Sequence, residues 1–258
     1  SDITNKDIKK INKKSLFSGF KKENISKCDW LIFCLPTPLK NNRPDISYIK
    51  RALNLVLPHL RYNQTIILES TVYPGATKEI FVKKIGKKFE IGKNFFLCYS
   101  PERINPGDKK YKLENIVKVV SASTKKSLKF VNFLYKSIIK AGTYKAESIQ
   151  IAEAAKIIEN TQRDINIALF NELSIIFKKL NLNSKAIIDA ASTKWNFHRY
   201  EPGLVGGHCI STDPYYLTYI SKKNKYSPKI ILSGRKLNDN MYKWVFKNII
   251  KLLKKRNS

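Results

Sequence analysis

Acidic side chains are scarce in this sequence. Only 20 Asp and Glu stand against 49 Lys and Arg in 258 residues, a formal net charge of +29. A charge of that size raises the question of a polyanion partner. Arginine, the usual specific contact to bases and phosphates, is far scarcer than lysine, and the lysines run the whole length without gathering in an arm or stripe. The chain is also crowded with Asn and Ile, whose codons, like those of Lys, are A/T-rich, so base composition accounts for the charge and a nucleic-acid partner is disfavoured. Three histidines and four cysteines (Cys28, Cys34, Cys98, Cys209) include no C-x-x-C and no metal-ligand spacing, so no metal is expected. Apolar runs are short and broken by lysine. None reaches the ~20 residues of a membrane helix, and the N-terminus shows neither a signal pattern nor an initiator Met. A soluble, cytoplasmic chain with reduced thiols is expected. No G-x-G-x-x-G occurs anywhere, so either the sheet described next is not a dinucleotide site or its first βαβ unit lies upstream of Ser1.

With 43% apolar residues the chain can bury a core. Residues 1–27 are lysine-rich and carry no placeable pattern. Trp30–Leu35 is a continuous apolar run of the kind buried on both faces of a parallel sheet, ending in Pro36-Thr37-Pro38. A helix is predicted over 45–58, a second strand over Thr65–Glu69, and a helix over 76–85. A third strand follows at Phe95–Tyr99, a fourth at Ile116–Val120, and a helix at 125–139. Strand and helix alternate at βαβ length, which reads as a doubly wound parallel sheet. Ligands of such sheets sit at the carboxyl ends of the strands, here marked by Thr37, Ser70, Thr71 and Glu102. Cys34 and Cys98, in apolar runs, are expected in the core.

Residues 147–180 hold neither Gly nor Pro and read as one long helix, followed by a shorter one over 185–191 and a last amphipathic one over 233–255. Glu153, Lys156, Asn160, Arg163, Asp164 and Asn171 share one narrow sector of the long helix, and apolar residues fill much of the rest. Such a helix is expected to be buried, with the polar stripe as a functional wall, because a buried lysine needs a reason. Three of the ten glycines, Gly203, Gly206 and Gly207, fall within five residues and lead into His208 and Cys209, with Asp213 just beyond. A thiol on such a loop, beside a histidine and an acid, reads either as a positioned nucleophile or as a buried cysteine in a tight turn.

Several segments together resemble the UDP-glucose/GDP-mannose dehydrogenase family, whose members oxidise nucleotide sugars to uronic acids with NAD. They are Leu35-Pro-Thr-Pro38, Glu69-Ser-Thr-Val72, Ser100-Pro-Glu-Arg-Ile-Asn-Pro-Gly-Asp108, Ala152 to Asp164, Lys194-Trp-Asn-Phe197, Pro202 to Ile210, Asp213-Pro-Tyr-Tyr216 and Gly234 to Asp239. The wording around Trp195 and Cys209 is most similar to the branch acting on UDP-N-acetylglucosamine or UDP-N-acetylgalactosamine for surface polysaccharide. The resemblance implies an α/β fold: a partial Rossmann-like parallel sheet domain over residues 1–143, without its first βαβ unit, and a mainly helical central dimerisation domain over 144–258. A C-terminal UDP-binding domain would be absent, as in a fragment.

By the same resemblance Cys209 traps an aldehyde as a thiohemiacetal that is oxidised to a thioester and hydrolysed. Lys156 and Asn160 hold the oxyanion and contact the sugar, Asp213 orients water or acts as base, Glu102 serves as base or substrate contact, and Thr71 helps to place water. Leu35, Pro36, Thr37, Ser70, Thr71 and Glu102 would border NAD, and His198, Gly206 and His208 the substrate. A homodimer would form through the long helix. The alternatives are a non-catalytic fragment or dimer partner of a complete dehydrogenase, and a basic nucleic-acid-binding module.

Overall fold

The computed structural model describes residues 22–105, 107–108, 110–207 and 209–256, the side chain of Arg256 excepted. The predicted substrate contact His208, and all of the unplaced N-terminal stretch but its end, lie outside the described residues. The chain divides into two compact units, one of residues 1–37 and 45–156, the other of residues 38–44 and 157–258.

Seven strands occur among the described residues: β1 (Trp30–Phe33), β2 (Leu39–Lys40), β3 (Arg43–Pro44), β4 (Thr65–Leu68), β5 (Phe96–Tyr99), β6 (Lys118–Ala122) and β7 (Thr143–Lys145). In the first unit, five of them form a sheet in the order β1-β4-β5-β6-β7. The pairs β1–β4, β4–β5 and β6–β7 are parallel. The expected Rossmann-like parallel sheet is present, with one strand pair reversed. β5 and β6 are antiparallel, with Cys98 opposite Ala122 and Tyr99 opposite Ser121. The cause is visible in the connection: among the described residues of 100–117 the only helical element is a 3-10 turn, Leu113–Asn115, and a parallel crossover normally needs a helix there.

β4 and β5 are buried throughout. The helix α3 (Lys125–Lys136) covers one face of the sheet, where Val131 and Tyr135 join Ile67, Cys98 and Val120 in one apolar cluster. Each fully buried aliphatic side chain there contributes roughly 1.5–3 kcal/mol. α3 begins at a capping box, Thr124 accepting from Ser127 N at 3.1 Å. β1 is expected to be buried on both faces, but it is the edge strand among the described residues and leaves Ile32 48% exposed. Cys34, just beyond it, is exposed rather than in the core, whereas Cys98 is fully buried. The unit also contains α1 (Lys22–Lys27) and α2 (Ser47–Val56), and a wide helical turn over Lys78–Val82 that continues into Lys83–Ile85.

α4 (Ile149–Lys179) is the predicted long helix, and its residues belong to the first unit up to Lys156 and to the second from Ile157. The second unit adds α5 (Ser184–Ala191), α6 (Asp213–Lys223), α7 (Lys229–Arg256) and the small β2–β3 hairpin, whose β3 packs on α6. α4 and α7 approach closely at Gly234, where an added Cβ would lie 3.4 Å from the Cβ of Ala168. The expectation that α4 is buried holds for Glu153, Lys156, Asn160, Asp164 and Asn171 of its polar stripe, but Arg163 is only half-buried and part of the apolar surface is open. Ile151, Ile158, Leu169 and Ile176 are exposed. No helix among the described residues is long and apolar enough to cross a membrane.

Candidate active site

The glycine loop ends in a turn that starts α6. Asp213 N donates to the Cys209 carbonyl at 2.9 Å, and Thr212 N reaches the same oxygen at 3.2 Å. Pro214 stands in the first turn of α6, where its missing N–H costs nothing. Cys209 is exposed, while Asp213, four residues on, is buried. Of the three loop glycines only Gly207 adopts a positive φ, +79°, a conformation that side chains resist; a Cβ on Gly203 or Gly206 would meet nothing.

Opposite this turn, α4 presents Asn160. Its Nδ2 donates to Asp213 Oδ2 at 2.6 Å, and both residues are buried. A carboxylate only accepts, so this bond fixes which way the amide faces and occupies one of its two N–H groups. Lys156 lies one helical turn earlier on the same face of α4 and is buried as well.

Three more members of the polar stripe, Glu153, Asp164 and Asn171, have structural partners. Glu153 accepts from Gly75 N at 2.5 Å and Thr77 N at 2.8 Å, closing the start of the helical turn at 78–85. Burial raises its pKa, and the polar groups of Thr77 and Gly75 beside it pull it partly back. Asp164 takes Arg235 Nη1 at 2.5 Å and Asn238 Nδ2 at 2.8 Å. Asn171 grips one peptide unit of the glycine loop: Gly203 N donates to Asn171 Oδ1 at 2.8 Å, and Asn171 Nδ2 donates to Gly203 O at 3.0 Å. The same Nδ2 reaches Asn238 Oδ1 at 2.9 Å, so the loop is anchored into the buried Asp164 network. Among the described residues His198 and Gly206, predicted substrate contacts, are exposed on the segment leading to Cys209.

In the first unit the predicted cofactor-bordering residues gather where β1, β4 and β5 end. Leu35 N donates to Ser70 Oγ at 2.8 Å, Ser70 Oγ reaches Phe33 O at 3.3 Å, and Thr37 Oγ1 donates to Thr71 O at 2.8 Å. The loops after β1 and β4 are thereby laced into one shelf, with Pro36 between the two bonded positions. Glu102 follows β5. Its Oε1 accepts from Arg103 N at 2.6 Å and Ile104 N at 2.9 Å, and its Oε2 lies 3.0 Å from Lys118 Nζ. Lys118 and Glu69 were not singled out from the sequence. Lys118, 3% exposed, also lies 3.4 Å from Glu69 Oε1. Glu69 takes hydrogen bonds from the Tyr135 hydroxyl and from Cys34 Sγ, the latter at 3.3 Å. Burial, then the Glu69 hydrogen bond and charge, push the Tyr135 hydroxyl well above its usual range.

These groups fit one side of a dinucleotide: a laced shelf of small polar residues at parallel strand ends, bordered by an oriented carboxylate. The glycine turn that would receive the pyrophosphate is not in the sequence. An open cavity of about 770 Å³ in the second unit, lined among others by Arg43, Tyr215, Lys222 and Lys236, holds none of the predicted site residues.

Comparison with known proteins follows the same two parts. Residues 2–139 match the UDP-glucose/GDP-mannose dehydrogenase family, NAD binding domain, and residues 150–240 match the central domain of the same family. The chain is 50% identical over 239 residues to UDP-N-acetyl-D-glucosamine 6-dehydrogenase of Salmonella typhi, covering 91% of this chain and 56% of that protein. It is 49% identical over 237 residues to protein CapL of Staphylococcus aureus, with the same shares, 91% and 56%. Among solved structures, the UDP-D-ManNAc dehydrogenase of Pyrococcus horikoshii superposes with a TM-score of 0.82 at 29% identity, covering 92% of this chain and 56% of that one. The chain thus spans about half the length of the curated relatives it matches.

Proposed function

The chain belongs to the UDP-glucose/GDP-mannose dehydrogenase family, and we propose that it carries the catalytic centre for oxidising C6 of a UDP-N-acetylhexosamine to the carboxylate, for surface polysaccharide. The observation that carries this reading is the Asn160–Asp213 bond of 2.6 Å at the start of α6, in the same turn as Cys209. The names of the relatives support the sugar: the Salmonella typhi protein is a UDP-N-acetyl-D-glucosamine 6-dehydrogenase. NAD, when bound, supplies the acceptor for the hydride lost in each of the two oxidations.

The chain's own residues divide the remaining work. Loss of a hydride and a proton from the primary alcohol gives an aldehyde. Cys209 sulfur then adds to its carbonyl carbon, and Lys156 and the second N–H of Asn160 hold the oxygen as it becomes negative. Loss of a second hydride and the hydroxyl proton leaves a thioester on Cys209. Water adds to that carbonyl, the C–S bond breaks, and the thiol is regained with the carboxylate product. Asp213 orients this water or takes its proton, Glu102 acts as base or holds the sugar, and Thr71 helps to place the water. Leu35, Pro36, Thr37, Ser70, Thr71 and Glu102 would border the NAD, and His198, Gly206 and His208 would contact the sugar nucleotide.

Residues 1–143 are the nucleotide-binding part and residues 144–258 the central part of this scheme. Ile151, Ile158, Leu169 and Ile176 are all exposed and fall within about 20° of one another around α4 at 100° per residue; this stripe is the homodimer face. A reaction drawing on NAD and a UDP-sugar places the protein in the cytoplasm. The test is NADH formation by the chain with UDP-N-acetylglucosamine and UDP-N-acetylgalactosamine. Two NADH per uronic acid are expected, with turnover lost in Cys209→Ala. Unchanged turnover in that variant would remove Cys209 from the chemistry.

A further inference from the structure

We propose that Lys118 is a positioning residue for Glu102, fixing the carboxylate through a buried strut anchored on Glu69. This rests on the reading above that Glu102 works at the reacting sugar. The geometry comes from the reversal of β6. Tyr99 lies opposite Ser121 and Cys98 opposite Ala122, and continuing that register brings position 102 level with 118. A parallel β6 would have begun at the other end of the sheet, with Lys118 far from Glu102. Ser100 Oγ on Val119 O, at 2.8 Å, holds the two chains together between them.

The two oxygens of Glu102 are held from different sides. The turn after β5 supplies Arg103 N and Ile104 N to Oε1, and Lys118 Nζ sits at 3.0 Å from Oε2. Backbone N–H groups alone would let the carboxylate rotate about its last bond; a buried ammonium on the second oxygen removes that freedom. Lys118 is 3% exposed and cannot follow Glu102 outward. Its other neighbours fix it in turn. Glu69 Oε1 lies at 3.4 Å, and the Tyr135 ring faces Nζ with its centroid at 5.1 Å. Glu69 is braced by the Tyr135 hydroxyl and by Cys34 Sγ, and the Arg103 guanidinium is occupied with Val117 O at 2.9 Å. Lys118 is therefore the member that links the end of β4 to the end of β5. Two carboxylates that would otherwise repel across the shelf are held by one cation.

Hydrogen exchange tests this without relying on turnover. In Lys118→Met, Glu102 loses its second anchor, and the Arg103 and Ile104 amides are expected to exchange at least about tenfold faster, the loss of roughly one charge-assisted bond. Lys118→Arg should restore most of the protection. Lys118→Gln keeps a donor without the charge and carries the same test if the Met variant does not fold. Exchange at both amides unchanged in the folded neutral variant overturns the proposal. Kinetics with the UDP-sugar separate the two readings: kcat is expected to fall about tenfold or more with KM little changed, and to recover in Lys118→Arg. Faster exchange with undiminished kcat would uphold the strut and remove Glu102 from the chemistry.

Discussion

Replacing Glu69 by Gln should release a thiol that is accessible yet poorly ionised. Cys34 is exposed as a residue, but its sulfur lies 3.3 Å from Glu69 Oε2. Burial, then the Glu69 charge and hydrogen bond, push the thiol from its ordinary 9.0 up to about 12. At pH 8 a thiol of 9.0 is about one-tenth thiolate, and one near 12 only about one part in ten thousand. The more basic thiolate is intrinsically more nucleophilic, with a Brønsted slope of about 0.4–0.5, so the expected rate falls by roughly 30- to 60-fold rather than a thousandfold. Glu69→Gln leaves the burial and removes the negative charge that disfavours the thiolate. The thiol's pKa then falls part of the way back, and Cys34 should react several-fold faster. The assay is reaction with an aromatic disulfide at pH 8, with each of the four cysteines followed by peptide mass. Cys98, fully buried and likewise pushed up to about 12 by burial, serves as the slow control. Cys34 reacting as fast as a free thiol, or no acceleration in Glu69→Gln, would refute the arrangement at Glu69 on which the Lys118 strut depends.

Glu153→Gln should cost about 1–2 kcal/mol in denaturant unfolding at neutral pH, because an amide can accept only one of the Gly75 and Thr77 bonds through its oxygen. Its pKa is higher folded than unfolded, so the folded state holds the proton more tightly. That contribution is complete below the ordinary value of 4.5 and is lost as pH rises through the higher folded value; this part of the stability slope should vanish in the variant, and its persistence would assign it elsewhere. Asn171→Ala deletes both bonds to the Gly203 peptide and one to Asn238. The 202–209 loop should lose about 2–3 kcal/mol of local stability, seen as faster proteolysis there, and equal cutting rates would contradict it. If the proposed homodimer forms through the α4 stripe, where Ile158 is 59% exposed, Ile158→Glu should lower the mass in sedimentation from dimer to monomer; a dimer mass retained in the variant would contradict that face.

The sequence made some elements readable and hid others for identifiable reasons. β4 and β5 are short apolar runs bounded by Pro and Gly, and their buried core follows from hydrophobicity alone. Strand direction does not, because an apolar run is the same read either way. The clue lay between the strands: Ser100 to Val117 contains Pro101, Pro106 and Gly107 and no amphipathic helix, so no parallel crossover was available. α6 was also missed, although Asp213-Pro214 is an ordinary helix start.

Periodicity places the polar residues of α4 on one face, and five of them are buried there. Helical periodicity could not say what each residue meets. Asn160 faces the Cys209 turn, whereas Glu153, Asp164 and Asn171 meet backbone ends and an arginine. Those partners come from distant segments and leave no local signature. The same holds for Lys118: one lysine among many by composition, and distinguished only by burial between two carboxylates.

The role of Cys209 is open to a direct measurement. The chain is mixed with NAD and UDP-N-acetylglucosamine, quenched in acid during turnover, and digested for peptide mass. A sugar-nucleotide acyl group on the Cys209 peptide, absent in Cys209→Ala, is the expected result. Uronic acid formed with no adduct on any cysteine, or with the adduct on Cys28 or Cys34, would contradict the assignment.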